Sequence, residues 1–434
     1  MVKIKIHRGT DQIGGTVTEV YTENTHIFVD FGSELSTEPE NSTDEKMIAM
    51  MKNSECDAVL FTHYHGDHIG LMPYIPKENK RGTSIKLYMG AASRRILLNI
   101  YDTLSDNQQA SEEERQDYQI MQAILQDEKR CLTFEKDKPF SIGDFTITPI
   151  RVDHSAYDAY MFVIEAEGKC IVHTGDYRTH GRLGKDFYEK LEKKMAGKNV
   201  DVLLTEGTMM GRLGEKVRTE EEMQQEALEL LKKPENKYAF LVCSSTNVES
   251  LASFHNAAME LERAFYVNSY VHKQLMLYRA TAGKEDFDLN FWKAYKFEPL
   301  HKYNPKLGMT QQQFMEKNGF VMLVGPTEAY KRRMEPFRQY DPLLIYSMWE
   351  GYIEKGEDTY DEKLGKLCDS WRFKPLHTSG HAVAEDIEKM ILTVKPQKAI
   401  IPIHTEYKKR FEKLAIGELV KKIKVLDDNA TFYL

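Results

Sequence analysis

The residues best suited to chemistry lie in the six-residue run 63–68, His-Tyr-His-Gly-Asp-His, which follows a short apolar segment. In an extended backbone, side chains two positions apart point the same way, so His63 and His65 can reach one ion. The glycine allows a bend that directs Asp67 and His68 towards a second ion. Nitrogen and carboxylate ligands suit zinc, manganese or iron, and zinc is the commonest catalytic Lewis acid of this kind.

Three later residues stand at the ends of predicted strands and can complete two such sites. His154 follows the strand-like run 150–153, Asp176 lies in His-Thr-Gly-Asp-Tyr, and His404 follows the apolar run 399–403. An isolated histidine or aspartate at a strand end usually caps the strand or faces solvent. Their order after the histidine-rich run favours metal ligation instead.

The elements that must position these residues change character along the chain. Up to residue 206, apolar runs and alternation predict a β-rich layer with helices between its strands, the helical part at 89–130. From about 207, strands and helices alternate, which predicts an α/β unit with a parallel sheet. One helix there begins at a capping box, Thr219 with Glu222, and stops at Pro234. From 376, short polar motifs joined to buried strands return.

Composition excludes several classes of protein. The chain has 434 residues, and its 59 basic and 67 acidic side chains give a net charge of -8, so no global basic field attracts nucleic acid. No apolar stretch reaches the roughly 18 residues of a membrane helix. Five cysteines without a Cys-x-x-Cys pair argue against a disulfide framework. We expect a cytoplasmic protein with no membrane partner.

The complete set of motifs resembles the metallo-β-lactamase fold and, within it, the β-CASP nucleases. The ligand order described above is joined by 205–208, Thr-Glu-Gly-Thr, by 377–382, His-Thr-Ser-Gly-His-Ala, and by 402–406, Pro-Ile-His-Thr-Glu. The resemblance covers nearly the whole chain and is strongest to ribonuclease J and the messenger-RNA-processing endonucleases. It implies an α/β fold, namely an αββα metallo-β-lactamase sandwich with an inserted α/β β-CASP domain. The expected domains are 1–206 and 376–434 for the sandwich and 207–375 for the insertion.

The resemblance also implies roles for individual residues. His63, His65 and His154 would hold one zinc ion, and Asp67, His68 and His404 the second, with Asp176 bridging both. The implied catalytic residues are Asp67, which orients a zinc-bridged hydroxide, His381 as general acid, and Glu206, which orients His381. The chemistry agrees, because phosphodiester hydrolysis needs a nucleophile, charge neutralisation and a protonated leaving group.

A phosphate-binding pocket is predicted between a strand and the following helix. Hydroxyls and the unpaired N–H groups of a helix N-terminus bind anions, and 244–247, Ser-Ser-Thr-Asn, combines both. With the resemblance, the candidates are Ser245, Thr246, His377 and Ser379. An ordinary helix N-cap explains the same run equally well.

The sequence therefore predicts a metal-dependent ribonuclease that hydrolyses single-stranded RNA, with two zinc ions per chain or manganese in their place. His404 favours RNA, because DNA-processing relatives usually carry an aliphatic residue there. A DNA nuclease or small-phosphodiester hydrolase with the same metal site is the alternative, and a non-catalytic RNA-binding subunit is a further one. A homodimer is one candidate assembly. The direction of cleavage and the metal stay open.

Overall fold

The computed structural model describes residues 1–35, 42–106, 110–282, 289–306, 308–357 and 359–434. Internal contacts divide the chain into two compact units: the first comprises 1–179, 183–216 and 380–434, and the second 180–182 and 217–379. The predicted boundaries at 207 and 376 lie a few residues before these positions, and the assignment of the units as domains stays a prediction. None of the described helices is long and apolar enough to cross a membrane.

The first part of the first unit supplies eleven described strands and five described helices. The strands are β1 (Lys3–Arg8), β2 (Val17–Tyr21), β3 (His26–Val29), β4 (Ala58–Leu60), β5 (Lys86–Gly90), β6 (Cys131–Phe134), β7 (Phe140–Ile142), β8 (Phe145–Val152), β9 (Ala159–Ala166), β10 (Lys169–His173) and β11 (Val202–Glu206). The helices are α1 (Asp44–Lys52), α2 (Gly66–Ile69), α3 (Ala91–Ser105), α4 (Glu112–Gln126) and α5 (Phe187–Met195).

The second unit contains a parallel sheet surrounded by helices, as the alternating pattern predicts. Its strands are β12 (Tyr238–Cys243), β13 (Ala264–Val267), β14 (Ala294–Lys296), β15 (Tyr303–Asn304), β16 (Met309–Thr310), β17 (Phe320–Leu323), β18 (Leu343–Ser347) and β19 (Arg372–Pro375). Its helices are α6 (Glu220–Lys232), α7 (Val248–Glu260), α8 (Ser269–Thr281), α9 (Gln311–Asn318), α10 (Glu328–Met334) and α11 (Glu362–Asp369). The six-stranded sheet has the order β14-β13-β17-β12-β18-β19, and every pair in it is parallel.

The predicted capping box in this unit is confirmed. The Thr219 hydroxyl accepts a hydrogen bond from the backbone N–H of Glu222, and the Glu222 carboxylate accepts one from the backbone N–H of Thr219. Two unpaired N–H groups at the start of α6 are satisfied in this way. The helix ends at Lys232, two residues before Pro234.

The chain then returns to the first unit and completes it with α12 (Ala384–Val394), β20 (Ala399–Ile403) and β21 (Thr431–Tyr433). Two sheets result, with the orders β21-β1-β2-β3-β4-β5-β6 and β20-β11-β10-β9-β8-β7. Their facing sides form one apolar core, and α5 and α12 pack on the outer side of the second sheet in another. The predicted αββα sandwich is thereby confirmed.

Periodicity explains why these strands form these layers. In β1, Ile4 and Ile6 are fully buried while Lys3 and Lys5, which alternate with them, are only half-buried, as expected for a strand with one face in a core. By contrast, β11 is buried along its whole length, because it lies between β10 and β20 and has apolar layers on both faces. The carboxyl ends of β10, β11 and β20 lie side by side because these strands are parallel.

Candidate metal centre

The predicted metal residues meet at the carboxyl ends of strands in the first unit. The histidine-rich run follows β4, and its last residues form the short helix α2. His154 follows β8, Asp176 follows β10, Glu206 ends β11, and His404 follows β20. Because parallel strands end at the same edge of a sheet, residues far apart in the chain converge here. Three groups of ligand atoms form, each with its members within 4.8 Å of one another.

The first group contains His63, His65 and His154. His154 Nε2 lies 3.2 Å from His65 Nδ1, and the three ring centroids are 4.6 to 5.0 Å apart. His63 Nε2 lies 3.9 Å from Asp176 Oδ2, so this group borders the next one. His63 and His65, two positions apart in the motif, thus lie together with His154.

The second group contains Asp67, His68, Asp176 and His404. Asp176 Oδ2 lies 3.2 Å from His68 Nε2 and 3.8 Å from His404 Nε2. Asp67 Oδ2 lies 3.2 Å from His404 Nε2 and 3.7 Å from His68 Nε2. Two carboxylates and two imidazoles thus surround one point, and Asp176 stands between the two groups.

Four imidazoles are each held by an outer partner on the ring nitrogen that faces away from the centre. His63 Nδ1 donates to Thr62 Oγ1 at 3.1 Å, His154 Nδ1 to the Gly380 carbonyl at 2.6 Å, and His404 Nδ1 to Thr208 Oγ1 at 2.9 Å. His68 Nδ1 donates to a carboxylate at 2.8 Å. These bonds use Nδ1 of each ring and direct Nε2 towards the centre, where a metal ion would meet it.

The carboxylate that holds His68 belongs to Asp30, a site residue that the sequence reasoning did not identify. Asp30 is fully buried, and it also accepts hydrogen bonds from the backbone N–H and the hydroxyl of Thr62, both at 2.8 Å. It follows β3, which pairs in parallel with β4, so both strands end beside the motif. A carboxylate directly after an apolar strand was the signal that could have found it.

The backbone around the second group leaves no room for larger side chains. A Cβ on Gly32 would stand 1.7 Å from the backbone oxygen of Asp67. The same oxygen accepts a hydrogen bond from the N–H of Thr16 at 3.2 Å. On the other side, the Gly14 N–H donates to His404 Nε2 at 3.1 Å, in agreement with an acceptor at that nitrogen.

Burial and neighbouring charges set the protonation states of the centre. Burial lowers the pKa of His63 and His154 well below the ordinary value, and it lowers the pKa of His65 to about 4. These rings are therefore neutral at pH 7, as metal ligands must be. Burial raises the pKa of Asp67 and Asp176, but His68 and His404 outweigh that effect and lower both pKa values, so both carboxyls are ionised.

The donor set fits divalent metal ions. Among the described residues, His63 Nε2, His68 Nε2 and Asp176 Oδ1 are buried without a hydrogen-bond partner. Leaving a buried polar atom unsatisfied costs about 1–3 kcal/mol, and three of them at one point would be costly without a cation. Imidazole and carboxylate are borderline-to-hard ligands that suit zinc and manganese.

His381 and Glu206 form a third group with Asp176 and His404. His381 Nδ1 donates to Glu206 Oε2 at 3.2 Å, and it lies 3.6 Å from Asp176 Oδ2. Burial lowers the pKa of His381, but these two carboxylates outweigh it and raise the pKa to about 9. Backbone N–H groups of Tyr177, at 2.9 Å, and Ala382, at 3.4 Å, donate to the Glu206 carboxylate and fix it.

The four predicted phosphate-binding residues lie in the second unit. Ser245 and Thr246 follow β12, and His377 and Ser379 follow β19, two strands away in the sheet order. Ser245 Oγ lies 3.2 Å from Tyr270 Oη, and Thr246 Oγ1 lies 2.7 Å from Ser244 Oγ. Asn247 caps α7 through its side chain, which agrees with the N-cap interpretation of the run. A phosphate role for these residues stays a prediction.

Two protein-family domains match this chain. Residues 38–242 match a beta-lactamase superfamily domain, and residues 372–426 match a Zn-dependent metallo-hydrolase RNA specificity domain. The matched ranges contain all of the predicted metal residues.

Individual proteins are similar over different lengths. Ribonuclease J from Helicobacter pylori strain J99 is 23% identical over 447 residues, covering 98% of this chain and 60% of that protein. Endoribonuclease ysh-1 from Neurospora crassa is 30% identical over 167 residues, covering 36% of this chain and 18% of that protein. The chain thus spans less than two thirds of the length of the curated relatives it matches.

A solved structure supports the fold. The crystal structure of a protein of unknown function from Enterococcus faecalis V583 superposes with a TM-score of 0.71 at 20% sequence identity, and it covers the whole of both chains.

Proposed function

We propose that this chain is a divalent-metal-dependent ribonuclease acting on single-stranded RNA, from its matches to a beta-lactamase superfamily domain and an RNA specificity domain and from its similarity to ribonuclease J. The observation that carries the proposal is the convergence of seven imidazole and carboxylate side chains in two adjoining groups, with Asp176 of the second group 3.9 Å from His63 of the first. A non-catalytic relative would have no need to keep both groups.

Two zinc ions are the metals we assign to the centre, with manganese as the alternative. His63, His65 and His154 would hold one ion, Asp67, His68 and His404 would hold the other, and Asp176 would serve both. Bound there, the metals would neutralise phosphate charge and make a water nucleophilic at neutral pH. Zinc is preferred because imidazoles outnumber carboxylates among the ligands.

The side chains of the centre divide the remaining tasks. Asp67, with its lowered pKa, accepts a hydrogen bond from the attacking water and orients it towards the phosphorus atom. His381 supplies the proton that the leaving oxygen needs, from the ring nitrogen opposite Nδ1. Glu206 acts through His381, because it holds Nδ1 and keeps the ring charged. General acid catalysis of this kind contributes about 10²–10⁴-fold in rate.

The RNA specificity domain match at 372–426 supports RNA as the substrate, since it contains His381 and His404. In the second unit, Ser245, Thr246, His377 and Ser379 are proposed to bind a phosphate of the same RNA. Their positions after β12 and β19 support this, because both strands end at one edge of the sheet.

The test uses zinc-loaded protein with single-stranded RNA labelled at the 5′ or the 3′ end, and with DNA of the same sequence. We expect cleavage of RNA, and a loss of about 10²–10⁴-fold in rate in His381→Ala with two ions per chain still bound. His272→Ala is the matched control, because His272 lies on α8 in the second unit, half-buried. It should cleave at the rate of the unmodified chain.

Each alternative gives a different result. No cleavage of either polymer with two ions bound would refute the nuclease proposal. Cleavage of DNA alone would show that DNA, and not RNA, is the substrate. A metal content below two ions per chain, measured by plasma mass spectrometry, would contradict the two-ion centre. The pattern of labelled fragments separates internal cuts from stepwise removal of nucleotides.

A further inference from the structure

The second unit presents aromatic and basic side chains together at one edge of its sheet. In the sheet order, β14 has β13 on one side and no described strand on the other. Residues 289–306 around it contain four lysines and one glutamate, in a chain whose overall charge is -8. We give the name edge strip to six exposed aromatic and basic residues of this segment: Trp292, Lys293, Tyr295, Lys296, Tyr303 and Lys306.

The aromatic side chains of the edge strip are unusually open to solvent. Trp292 is 62% exposed, Tyr303 58% and Tyr295 45%. Three large rings exposed within twelve residues leave apolar area uncovered, and such patches mark interaction sites. The Arg279 guanidinium stands 5.5 Å from the centre of the Trp292 ring, so a cation already accompanies this ring.

The backbone holds Trp292 in its exposed position. Phe291, at φ 43°, and Lys293, at φ 58°, both adopt the left-handed region that bulky residues rarely enter. His255 Nε2 donates to the Trp292 carbonyl at 2.6 Å, and Phe291 is buried. Strained backbone of this kind persists only where surrounding contacts impose it, and it is concentrated at functional sites.

The two tyrosines of the strip are connected through buried Tyr266 and half-buried Gln311. The Tyr295 ring lies 5.9 Å from that of Tyr266, whose hydroxyl accepts a hydrogen bond from Gln311 Nε2 at 2.8 Å. The Gln311 N–H in turn donates to the carbonyl of Lys302 at 3.0 Å, the residue before Tyr303. Both exposed tyrosines therefore flank the same part of the sheet edge.

The three lysines of the edge strip differ from the fourth lysine of this segment, Lys302, in their ion pairing. Lys302 lies outside the strip and forms an ion pair with Glu298 at 2.6 Å. Over the described part of the chain, Lys293, Lys296 and Lys306 form no ion pair. Uncompensated positive charge beside exposed rings matches a polyanion that carries flat aromatic groups.

We propose that the edge strip binds single-stranded RNA, with bases stacked on Trp292, Tyr295 and Tyr303 and phosphates beside the three lysines. The proposal rests on the proposed ribonuclease function for its choice of RNA as the nucleic acid. A second copy of the chain, pairing along β14, is the competing occupant. The lysines disfavour it, because two like-charged edges would meet.

Binding is measured by fluorescence anisotropy with the metal-loaded full chain. The probe is a fluorescein-labelled, unstructured phosphorothioate RNA of twenty nucleotides, because its linkages resist hydrolysis. Stacking accounts for roughly 1–3 kcal/mol per base, so the double variant Trp292→Ala, Tyr295→Ala should raise Kd at least tenfold. Tyr433→Ala is the matched control, since Tyr433 is also 62% exposed but lies on β21 in the first unit. It should change Kd less than twofold.

The salt dependence gives a second, independent readout. Each phosphate contact on a single strand contributes about 0.7 to the slope of log Kd against log salt concentration. Replacing Lys293, Lys296 and Lys306 with glutamine should therefore lower the slope by about 2. These side chains are exposed, so the fold should be kept, as circular dichroism will report. An unchanged slope would overturn the proposal.

Parallel assays separate this proposal from the ribonuclease function. If the unmodified chain cleaves RNA while the strip variants bind and cleave equally well, the strip proposal fails and the function stands. If the strip variants lose RNA affinity but the unmodified chain cleaves nothing, the function fails and the strip stands. A dimer that dissociates in the variants, seen by sedimentation with RNA affinity unchanged, assigns the strip to self-association and overturns RNA binding.

Discussion

Replacing Asp30 with asparagine should loosen the metal centre while leaving its ligands in place. Asp30 Oδ2 accepts the His68 Nδ1 proton at 2.8 Å, while Oδ1 accepts the Thr62 N–H at 2.8 Å. Asparagine has one acceptor oxygen, which the Thr62 N–H requires. Its amide nitrogen then faces His68 and donates to Nδ1, which moves the imidazole proton to Nε2. That nitrogen is the one aimed at Asp176.

The expected loss of zinc affinity follows from the role of the hydrogen bond between His68 Nδ1 and Asp30 Oδ2. A carboxylate that fixes the tautomer of a ligating histidine typically changes metal affinity by 10–100-fold when it is removed. We expect Asp30→Asn to raise the Kd of one of two zinc ions by that factor, about 1.4–2.7 kcal/mol. The other ion, held by the group of His63, should be affected less.

The assay is competition against a chromophoric zinc chelator, followed to two equivalents of metal. Asp158→Asn is a closely matched control, since Asp158 is also a buried aspartate with positive φ. It accepts hydrogen bonds from a backbone N–H, of Ser93 at 2.9 Å, and from a hydroxyl, of Tyr160 at 2.6 Å. The reasoning is refuted if both variants weaken zinc binding equally, or if Asp30→Asn leaves the affinities of both zinc ions unchanged.

Three further predictions concern the first unit. Glu206→Gln should slow RNA cleavage by at least tenfold without releasing metal, because His381 loses its charged partner; metal content and rate measured together check this. Gly32→Ala should destabilise the protein and weaken metal binding, because its Cβ would overlap the Asp67 carbonyl; thermal unfolding with and without zinc shows both effects. Burial raises the pKa of Glu19, but hydrogen bonds from two histidines outweigh it and lower the pKa from 4.5 to about 2. This carboxylate therefore stabilises the fold above pH 4.5 by about 3 kcal/mol, and the contribution is lost as the pH falls towards 2. Glu19→Gln should remove it, so urea unfolding should show a larger difference between the two chains at pH 7 than close to the folded-state pKa of about 2.

Many of the strands and turns could be predicted because the local sequence pattern agrees with the burial that these residues have in the folded protein. The strand 238–243 and the hairpin turn at Glu167 and Gly168 illustrate this, since a continuous apolar run and a Gly-containing turn each admit few structures. The metal residues could be predicted because each follows an apolar strand.

Other features depend on contacts that no local pattern reveals. Asp30 looks like the polar end of a strand, and only the parallel pairing of β3 with β4 brings it against His68. The large apolar side chain of Trp349 is 38% exposed, because its ring rests on Gly351 and Tyr352 at the surface. Strands as short as β14 offer too few residues for periodicity to be recognised.

The order of strands in the first unit has a consequence for the way this protein is made. In the second sheet β11 stands beside β20, although 192 residues separate the end of one from the start of the other. At about 5–20 residues per second, a ribosome needs roughly 10–40 s to span that interval. Until then β11 is paired with β10 on one side only, and His404 has not been synthesised. The nascent chain can thus fold its second unit first, and the metal centre can close only after His404 has been synthesised.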